Sequence, residues 1–467
     1  MADEEVEIGG RIRRLRRNRR LSQSDLAGAL GISASYLNLI EHNRRKVTVN
    51  LLFSIAGHFG IEPGELVDGD EARLAGHLME ALADEIFADS DMTNLEVRDL
   101  AHANPAAARA MLTLYDRFQA LKARPAATGP APMEEYHRAT EAISDFLELN
   151  ANHFPLLEEA AERIRAEIDF SDDNFDTGAR AYLFNVFGIG VRLASLPAGI
   201  VRQFDAARRE LLLSDLASPA TARFLVAQQI AALAAQREIE TVLAEADLPE
   251  ADAPALARNV LGAYVAAALV MPYAPFLKAC RDYRYDIDRL GHRFGASFEQ
   301  ICHRMTTLQR KGAAGIPMHL VRTDIAGNIS KRFSLSGIHI PRHSGACPRW
   351  NVYAAFLSPE RLNIQISEMP GGARYFCVAR TVSKGAYRYN APVRHLAIGI
   401  GCSITHAREL VYADGMDLES DNQIVPIGVS CRICPRMECG HRAHPPANHR
   451  IVLDETSRPE SLYARML

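Results

Sequence analysis

The sequence predicts a multidomain protein, mainly α-helical with a β-rich C-terminal part. Three observations predict it. Residues 22–41 read as two short capped helices about a glycine corner, residues 124–133 form a Pro/Gly/Ala tract, and alternating patterning replaces helical spacing from about residue 316. These features divide the 467 residues into a five-helix N-terminal head at 1–68 and a helical linker at 69–133. An α+β middle domain at 134–310 and a β-rich, cysteine-bearing domain at 311–467 follow.

Taken in order, the head reads as a helix-turn-helix. Ile8, Ile12 and Leu15 make one stripe of a leading helix whose other faces carry Arg11, Arg13, Arg14, Arg16, Arg17, Arg19 and Arg20. Ser22 is placed to cap a helix in which Leu26 and Leu30 share a face, Gly31 supplies a left-handed corner, and Ser33 caps the next helix. That second helix buries Leu37 and Ile40, three apart, and turns Ala34, Ser35, Asn38 and Leu39 outward. Leu51, Leu52, Ile55 and Phe59 belong to a closing helix. A reading helix with a small, polar N-terminal half fits a major groove. Gln23, Ser33, Ala34, Ser35, Tyr36 and Asn38 are therefore the expected contacts on a double-stranded DNA operator, with Asn43, Arg44 and Arg45 along the phosphate backbone. The competing reading is a basic bundle that docks a protein.

The formal net charge of −4 hides an asymmetry: the first 50 residues are strongly basic, and residues 61–100 are acidic. A basic head on a near-neutral body suits a regulator better than a nonspecific coating protein. No secretory signal opens the chain, and the uninterrupted apolar run Val260–Met271 falls short of the ~20 residues of a membrane span, so a cytoplasmic protein is expected. Leu100, Ala107, Met111, Leu114, Phe118 and Leu121 stand at helical spacing before the Pro-rich tract. That helix is a candidate homodimer contact, since operators of this class place half-sites about 34 Å apart; an intramolecular bundle explains it equally well.

In the body, helical patterning covers 134–168, 204–246, 254–270 and 285–305, with strands at Gly188–Leu193 and Gly199–Phe204. His319–Asp324 and Ile329–Phe333 flank a Gly-Asn turn and predict a hairpin. Further strands are expected near Leu362–Ser367, Tyr375–Val382 and Leu396–Ile400.

All eight cysteines lie at or after Cys280. Cys431, Cys434 and Cys439 form a Cys-x2-Cys-x4-Cys triplet that can grip a soft metal from tight turns. A fourth ligand must come from elsewhere: Cys347 or Cys402, each in a Gly/Pro-rich turn, suits an iron–sulfur cluster, and His441 or His444 suits zinc. Spacing alone does not separate the two metals. Cys280, Cys302 and Cys377 have apolar neighbours and read as core residues.

Several blocks, in order, resemble the bacterial short-chain fatty acyl-CoA regulators. They include Ser35-Tyr-Leu-Asn-Leu-Ile-Glu-His-Asn-Arg-Arg45, Ala267-Ala-Leu-Val-Met-Pro-Tyr273, His303-Arg-Met-Thr-Thr-Leu-Gln-Arg310, Gly327-Asn-Ile-Ser-Lys-Arg332, Ala346-Cys-Pro-Arg-Trp-Asn351, Tyr375-Phe-Cys-Val-Ala-Arg-Thr381, Leu410-Val-Tyr-Ala-Asp-Gly415 and the cysteine triplet. The resemblance implies a Cro/repressor-type head, a metallopeptidase-like middle domain, and sensing of propionyl- or acetyl-CoA. It also favours an iron–sulfur cluster of the [4Fe-4S] type over zinc; Cys347, Cys431, Cys434 and Cys439 are the candidate ligands, with Cys402 or a histidine open as the fourth. It exposes a departure as well. Where related peptidases carry His-Glu-x-x-His, this chain has Gln228, Gln229 and Ala232, which lack both the zinc ligands and the general base. No enzyme activity is expected.

Coenzyme A needs cations for its phosphates and an apolar slot for its acyl group. Arg304, Arg310, Lys311, Arg322, Lys331 and Arg332 are the densest basic set outside the head, with Tyr273, Phe276 and Phe333 as candidate lining. A cluster-gated redox regulator is the alternative to an acyl-CoA sensor.

Overall fold

A computed structural model describes residues 12–13, 15–16, 19, 21–41, 45, 47–59, 70–87, 92–122, 132–168, 175–197, 199–246, 248, 252–342, 345–385, 393–446, 461 and 463. The chain divides into two compact units, Met1–Lys122 and Ala123–Leu467.

In the first unit, Ser22 caps α1 (Gln23–Ala29) through a reciprocal box with Asp25. Gly31 takes the left-handed φ of 67° at the corner, and Ser33 accepts the Tyr36 N–H at the start of α2 (Ala34–Glu41). With α3 (Val49–Phe59), these helices bury Leu26, Leu37, Ile40 and Ile55 against Ile12, and each such side chain contributes about 1.5–3 kcal/mol. Residues 60–69 lie outside the described residues. Three further helices, α4 (Asp70–Leu82), α5 (Asn94–Ala103) and α6 (Pro105–Lys122), share a separate small core around Leu78, Val97 and Ala101.

The second unit begins with α7 (Pro132–Leu149), α8 (Pro155–Ile168) and α9 (Phe175–Phe187). Strands β1 (Gly190–Ala194), β2 (Arg202–Asp205) and β3 (Glu210–Ser214) form a sheet in the order β1-β3-β2. The helical expectation for 204–246 is corrected at its start. Asp205 accepts the Arg208 N–H, Arg209 takes a φ of 53°, and this turn pairs β3 back on β2, so the Leu211–Leu213 run is buried sheet rather than helix. Helices α10 (Pro219–Ala234), α11 (Gln236–Ala244), α12 (Ala253–Val270), α13 (Tyr273–Asp282), α14 (Ile287–Phe294) and α15 (Phe298–Met305) follow. Among the described helices, α12 is long and apolar enough to cross a membrane, but it lies in the middle of the core with Leu261, Val265 and Leu269 fully buried.

The expected C-terminal strands form one sheet in the order β5-β4-β8-β7-β6-β9. Its members are β4 (Met318–Asp324), β5 (Ile329–Ser334), β6 (Asn363–Glu368), β7 (Arg374–Lys384), β8 (Arg394–Ser403) and β9 (Ile424–Pro426). One face packs on the helices through Leu320, Ile366, Phe376, Ile398 and Ile400, so residues on both sides of position 310 share one core. The other face covers a second cluster around Val321, Trp350, Cys377 and Ile427.

Candidate functional site

The reading head is assembled from a buried ion pair. Arg16 donates to both Glu41 oxygens, Nε–Oε1 at 2.6 Å and Nη2–Oε2 at 2.9 Å, and Gln23 Nε2 donates to Glu41 Oε2 at 2.7 Å. Burial alone would raise the Glu41 pKa; the Arg16 and Gln23 hydrogen bonds outweigh it and hold the carboxylate low. Arg16, expected on an outer face of the leading helix, is instead buried, because Glu41 at the end of α2 needs a counter-charge, and half-buried Gln23 braces Glu41 and Asn38 Oδ1. Ser33, Ser35, Asn38 and Leu39 are exposed on α2, with Ala34 and Tyr36 half-buried beside them. Arg45 is exposed as well; Asn43 and Arg44 lie outside the described residues.

The basic set expected to bind coenzyme A is not one patch. Arg304 is fully buried, and its guanidinium meets Glu158 bidentately at 2.6 and 2.9 Å, so it cannot reach a ligand phosphate. Arg332 is likewise buried against Glu141, Asp145 and Glu148 on α7. Phe276 and Phe333 are core residues, Phe276 set edge-to-face on Phe294. These residues face acids or aromatics distant in sequence, which spacing cannot reveal. Arg322 and Lys331 instead stand opposite each other on β4 and β5, apart from Arg310.

Tyr273 and Arg310 do come together. The Arg310 guanidinium lies 4.3 Å above the Tyr273 ring, and the Tyr273 hydroxyl accepts the Arg310 N–H at 2.7 Å and donates to Ala313 O at 3.0 Å. Both border a cleft of about 290 Å³ that is also lined by Lys278, Arg281 and Leu277 of α13. Arg310 is bonded to Glu162 and Lys278 to Asp282, both pairs exposed to solvent. Lys278 and Arg281 are not evident as site residues from the sequence, although Tyr273, Leu277 and Arg281 stand at i, i+4, i+8 on one face of a helix, a signal that points to Arg281.

The cysteine loop is also drawn together. Cys347 lies within electrostatic reach of Cys431 and Cys434, and Cys434 within reach of Cys431 and Cys439. Backbone N–H groups point at the sulfurs: Gly428 and Arg349 at Cys347, Arg436 at Cys434, and Ala443 at Cys431 at 3.4 Å. Arg442, unremarked in the sequence, is buried and donates to the carbonyls of Cys431, Cys434 and Arg436 at 2.5, 2.7 and 3.0 Å, pinning the loop. A Cβ on Gly428 would stand 2.7 Å from Cys434 Sγ. Burial raises the Cys347 and Cys434 thiols. Among the described residues, no three His, Cys, Asp or Glu side chains close to metal-binding geometry. Cys402 is fully buried in β8 near Cys377, and His441 and His444 are exposed.

Comparison with known proteins fits this layout. Residues 12–66 match a helix-turn-helix family, 184–306 the IrrE N-terminal-like domain, and 307–463 the C-terminal domain of the short-chain fatty acyl coenzyme A regulators. The propionyl-CoA carboxylase regulator of Cereibacter sphaeroides is 38% identical over 461 residues, 96% of each chain. The HTH-type transcriptional regulators RamB and PrpR of Mycobacterium tuberculosis are 35% identical over 98% of each chain, and 34% identical over 96% of this chain and 94% of theirs. The chain belongs to the short-chain fatty acyl-coenzyme A regulator family. A solved Mycobacterium tuberculosis transcriptional regulator superposes with a TM-score of 0.67 at 37% identity, covering 70% of this chain and 99% of that one.

Like those relatives, this short-chain fatty acyl-coenzyme A regulator is a DNA-binding transcriptional regulator and not an enzyme. Its IrrE-like part explains why the fold of a peptidase carries no peptidase chemistry. On α10, Gln229 is buried, Gln228 half-buried and Ala232 exposed. An amide pair and a methyl group supply neither imidazole ligands for zinc nor a carboxylate to take a proton from water.

Proposed function

We propose that the protein is a cytoplasmic regulator whose affinity for an operator is set by a short-chain acyl-CoA, propionyl- or acetyl-CoA, and that it controls genes for assimilating that metabolite. The observation that carries this is the cleft at Tyr273. Lys278, Arg281 and Arg310 bring three cations to its rim against two carboxylates, Glu162 and Asp282. Guanidinium groups suit phosphates, and the flat face of Arg310 suits an adenine ring. Leu277, Ala274 and Ala313 add apolar lining. The relative named for propionyl-CoA carboxylase supports the choice of ligand class. The helix face Ser33, Ala34, Ser35, Tyr36 and Asn38, with Arg45, reads the DNA, as one head of a homodimer.

Calorimetric titration with propionyl-CoA tests the cleft. Arg281→Glu should weaken binding at least about tenfold, because it sets a carboxylate against a phosphate. Equal affinity in both proteins would remove the cleft from the account.

A second reading, gating by an iron–sulfur cluster, is favoured by the nearness of Cys347, Cys431, Cys434 and Cys439, the first three of them under backbone N–H groups that would stabilise thiolates. Four thiolates are the donor set such a group takes, although among the described residues they are not closed to metal-binding geometry; when bound it would supply redox sensitivity. Cys434→Ser should then lower iron content in anaerobically purified protein without loss of acyl-CoA binding. Iron-free wild-type protein prepared the same way would exclude this reading.

A further inference from the structure

On the helix-facing side of the large sheet, cations crowd one carboxylate. Arg322 of β4 and Lys331 of β5 are direct cross-strand partners, an arrangement of like charges that destabilises a sheet unless something holds it. Arg322 Nη1 donates to Glu299 Oε1 of α15 at 2.9 Å, and its Nε donates to Ser330 Oγ at 2.9 Å. Lys384, from the end of β7, donates to the other Glu299 oxygen. His303, one helical turn after Glu299, holds its buried Nε2 3.7 Å from Oε1, longer than an ordinary hydrogen bond. Arg394, directly opposite Lys384 on β8, is exposed and adds a second like-charge pair.

The charges do not balance. Glu299 answers Arg322 and Lys384 and is held far below the usual carboxylate range, despite a burial that opposes this, by His303 and Lys384. Lys331 makes no hydrogen bond or close ion pair among the described residues. It is exposed, and partial desolvation with repulsion from Arg322 outweighs the pull of Glu299 and lowers its pKa to about 8. Two facing cationic pairs and a buried imidazole nitrogen beyond hydrogen-bond distance of Glu299, the one acid bonded to these cations among the described residues, form a conflict that folding alone does not require, and such conflicts concentrate at binding sites.

We infer that Arg322, Lys331, Lys384 and His303 form a second anion site that takes a phosphate monoester, with Glu299 holding Arg322 and Lys384 in place. A dianionic phosphate placed by Lys331 would neutralise the surplus charge and accept from His303. Two sources share this chemistry: the 3′-phosphate of coenzyme A and a free phosphate. The inference does not depend on the Tyr273 cleft.

Calorimetry on the full chain with coenzyme A, dephospho-coenzyme A and inorganic phosphate tests it, using Lys331→Glu and the charge-preserving Lys331→Arg. Loss of about tenfold in coenzyme A affinity for Lys331→Glu, retained affinity for Lys331→Arg and no effect on dephospho-coenzyme A would assign the 3′-phosphate. Binding of inorganic phosphate by the wild type that Lys331→Glu abolishes, without any such effect on coenzyme A, would assign a free phosphate. Unchanged coenzyme A and phosphate affinities in Lys331→Glu would overturn the site. If Arg281→Glu meanwhile lost coenzyme A, the cleft would stand while this inference fell. Lys331 is exposed and makes no hydrogen bond among the described residues, so both variants should fold.

Discussion

Replacing Arg304 with Ala is expected to cost about 3–5 kcal/mol of folding stability, the largest effect of any single substitution discussed for the second unit. Arg304 on α15 ties three segments at once. It meets Glu158 of α8 bidentately, donates from Nε to Met271 O after α12 at 2.9 Å, and donates to Thr307 Oγ1 at 2.9 Å. Tyr264 adds a hydroxyl donor to Glu158 Oε1 at 2.7 Å. Removing the guanidinium leaves a buried carboxylate with one donor, and that desolvated charge, rather than lost attraction, supplies most of the cost. The paired change Glu158→Leu with Arg304→Met should therefore recover most of the stability, since buried pairs are often replaceable by apolar residues of similar volume. Urea denaturation of the wild type, Arg304→Ala and the paired variant measures this. A single-variant loss below about 1 kcal/mol would show that Glu158 is re-solvated and the pair is not structural.

The second large effect belongs to DNA. With α2 as the proposed reading helix, Ser35→Glu on its exposed face should lower operator affinity by about 100-fold or more, because it would set a carboxylate among base edges and phosphates. Asn38→Ala should cost about 1–3 kcal/mol if it reads a base edge directly. Neither side chain is buried, so thermal stability should stay within about 0.5 kcal/mol of the parent. Fluorescence anisotropy with a promoter fragment at two salt concentrations checks both. Wild-type affinity for Ser35→Glu would move the reading surface off α2.

What the sequence disclosed follows from the range of the forces involved. The head was legible because its determinants are local: the Ser22 and Ser33 caps, the Gly31 corner, and Leu37 and Ile40 three residues apart. The hairpin β4–β5 was legible for the same reason, through its Gly-Asn turn. Residues 204–214 misled because Leu211–Leu213 carries a strong helix former, and only the turn at Arg209 and pairing with β1 and β2 decide for a strand. The candidate effector residues were half legible. Arg304 and Arg332 look like ligand cations until Glu158 and Glu141, well over a hundred residues away, come to meet them. Arg16, expected on an outer face of its helix, is drawn inward in the same way, by Glu41. Residue type gives a charge; only the fold says which charge is already answered.

The account's central claim is that an acyl-CoA sets the DNA affinity of this chain, which requires the ligand to bind the DNA-competent and incompetent states unequally. The most direct test is a promoter-binding titration of the full chain at fixed salt, with and without saturating propionyl-CoA, repeated with Arg281→Glu. The account predicts a several-fold change in the DNA dissociation constant for the wild type, a smaller change with acetyl-CoA, since a methylene is worth about 1–3 kcal/mol, and little change for Arg281→Glu. A dissociation constant that stays flat across acetyl-, propionyl- and butyryl-CoA, in protein shown by calorimetry to bind them, would contradict it.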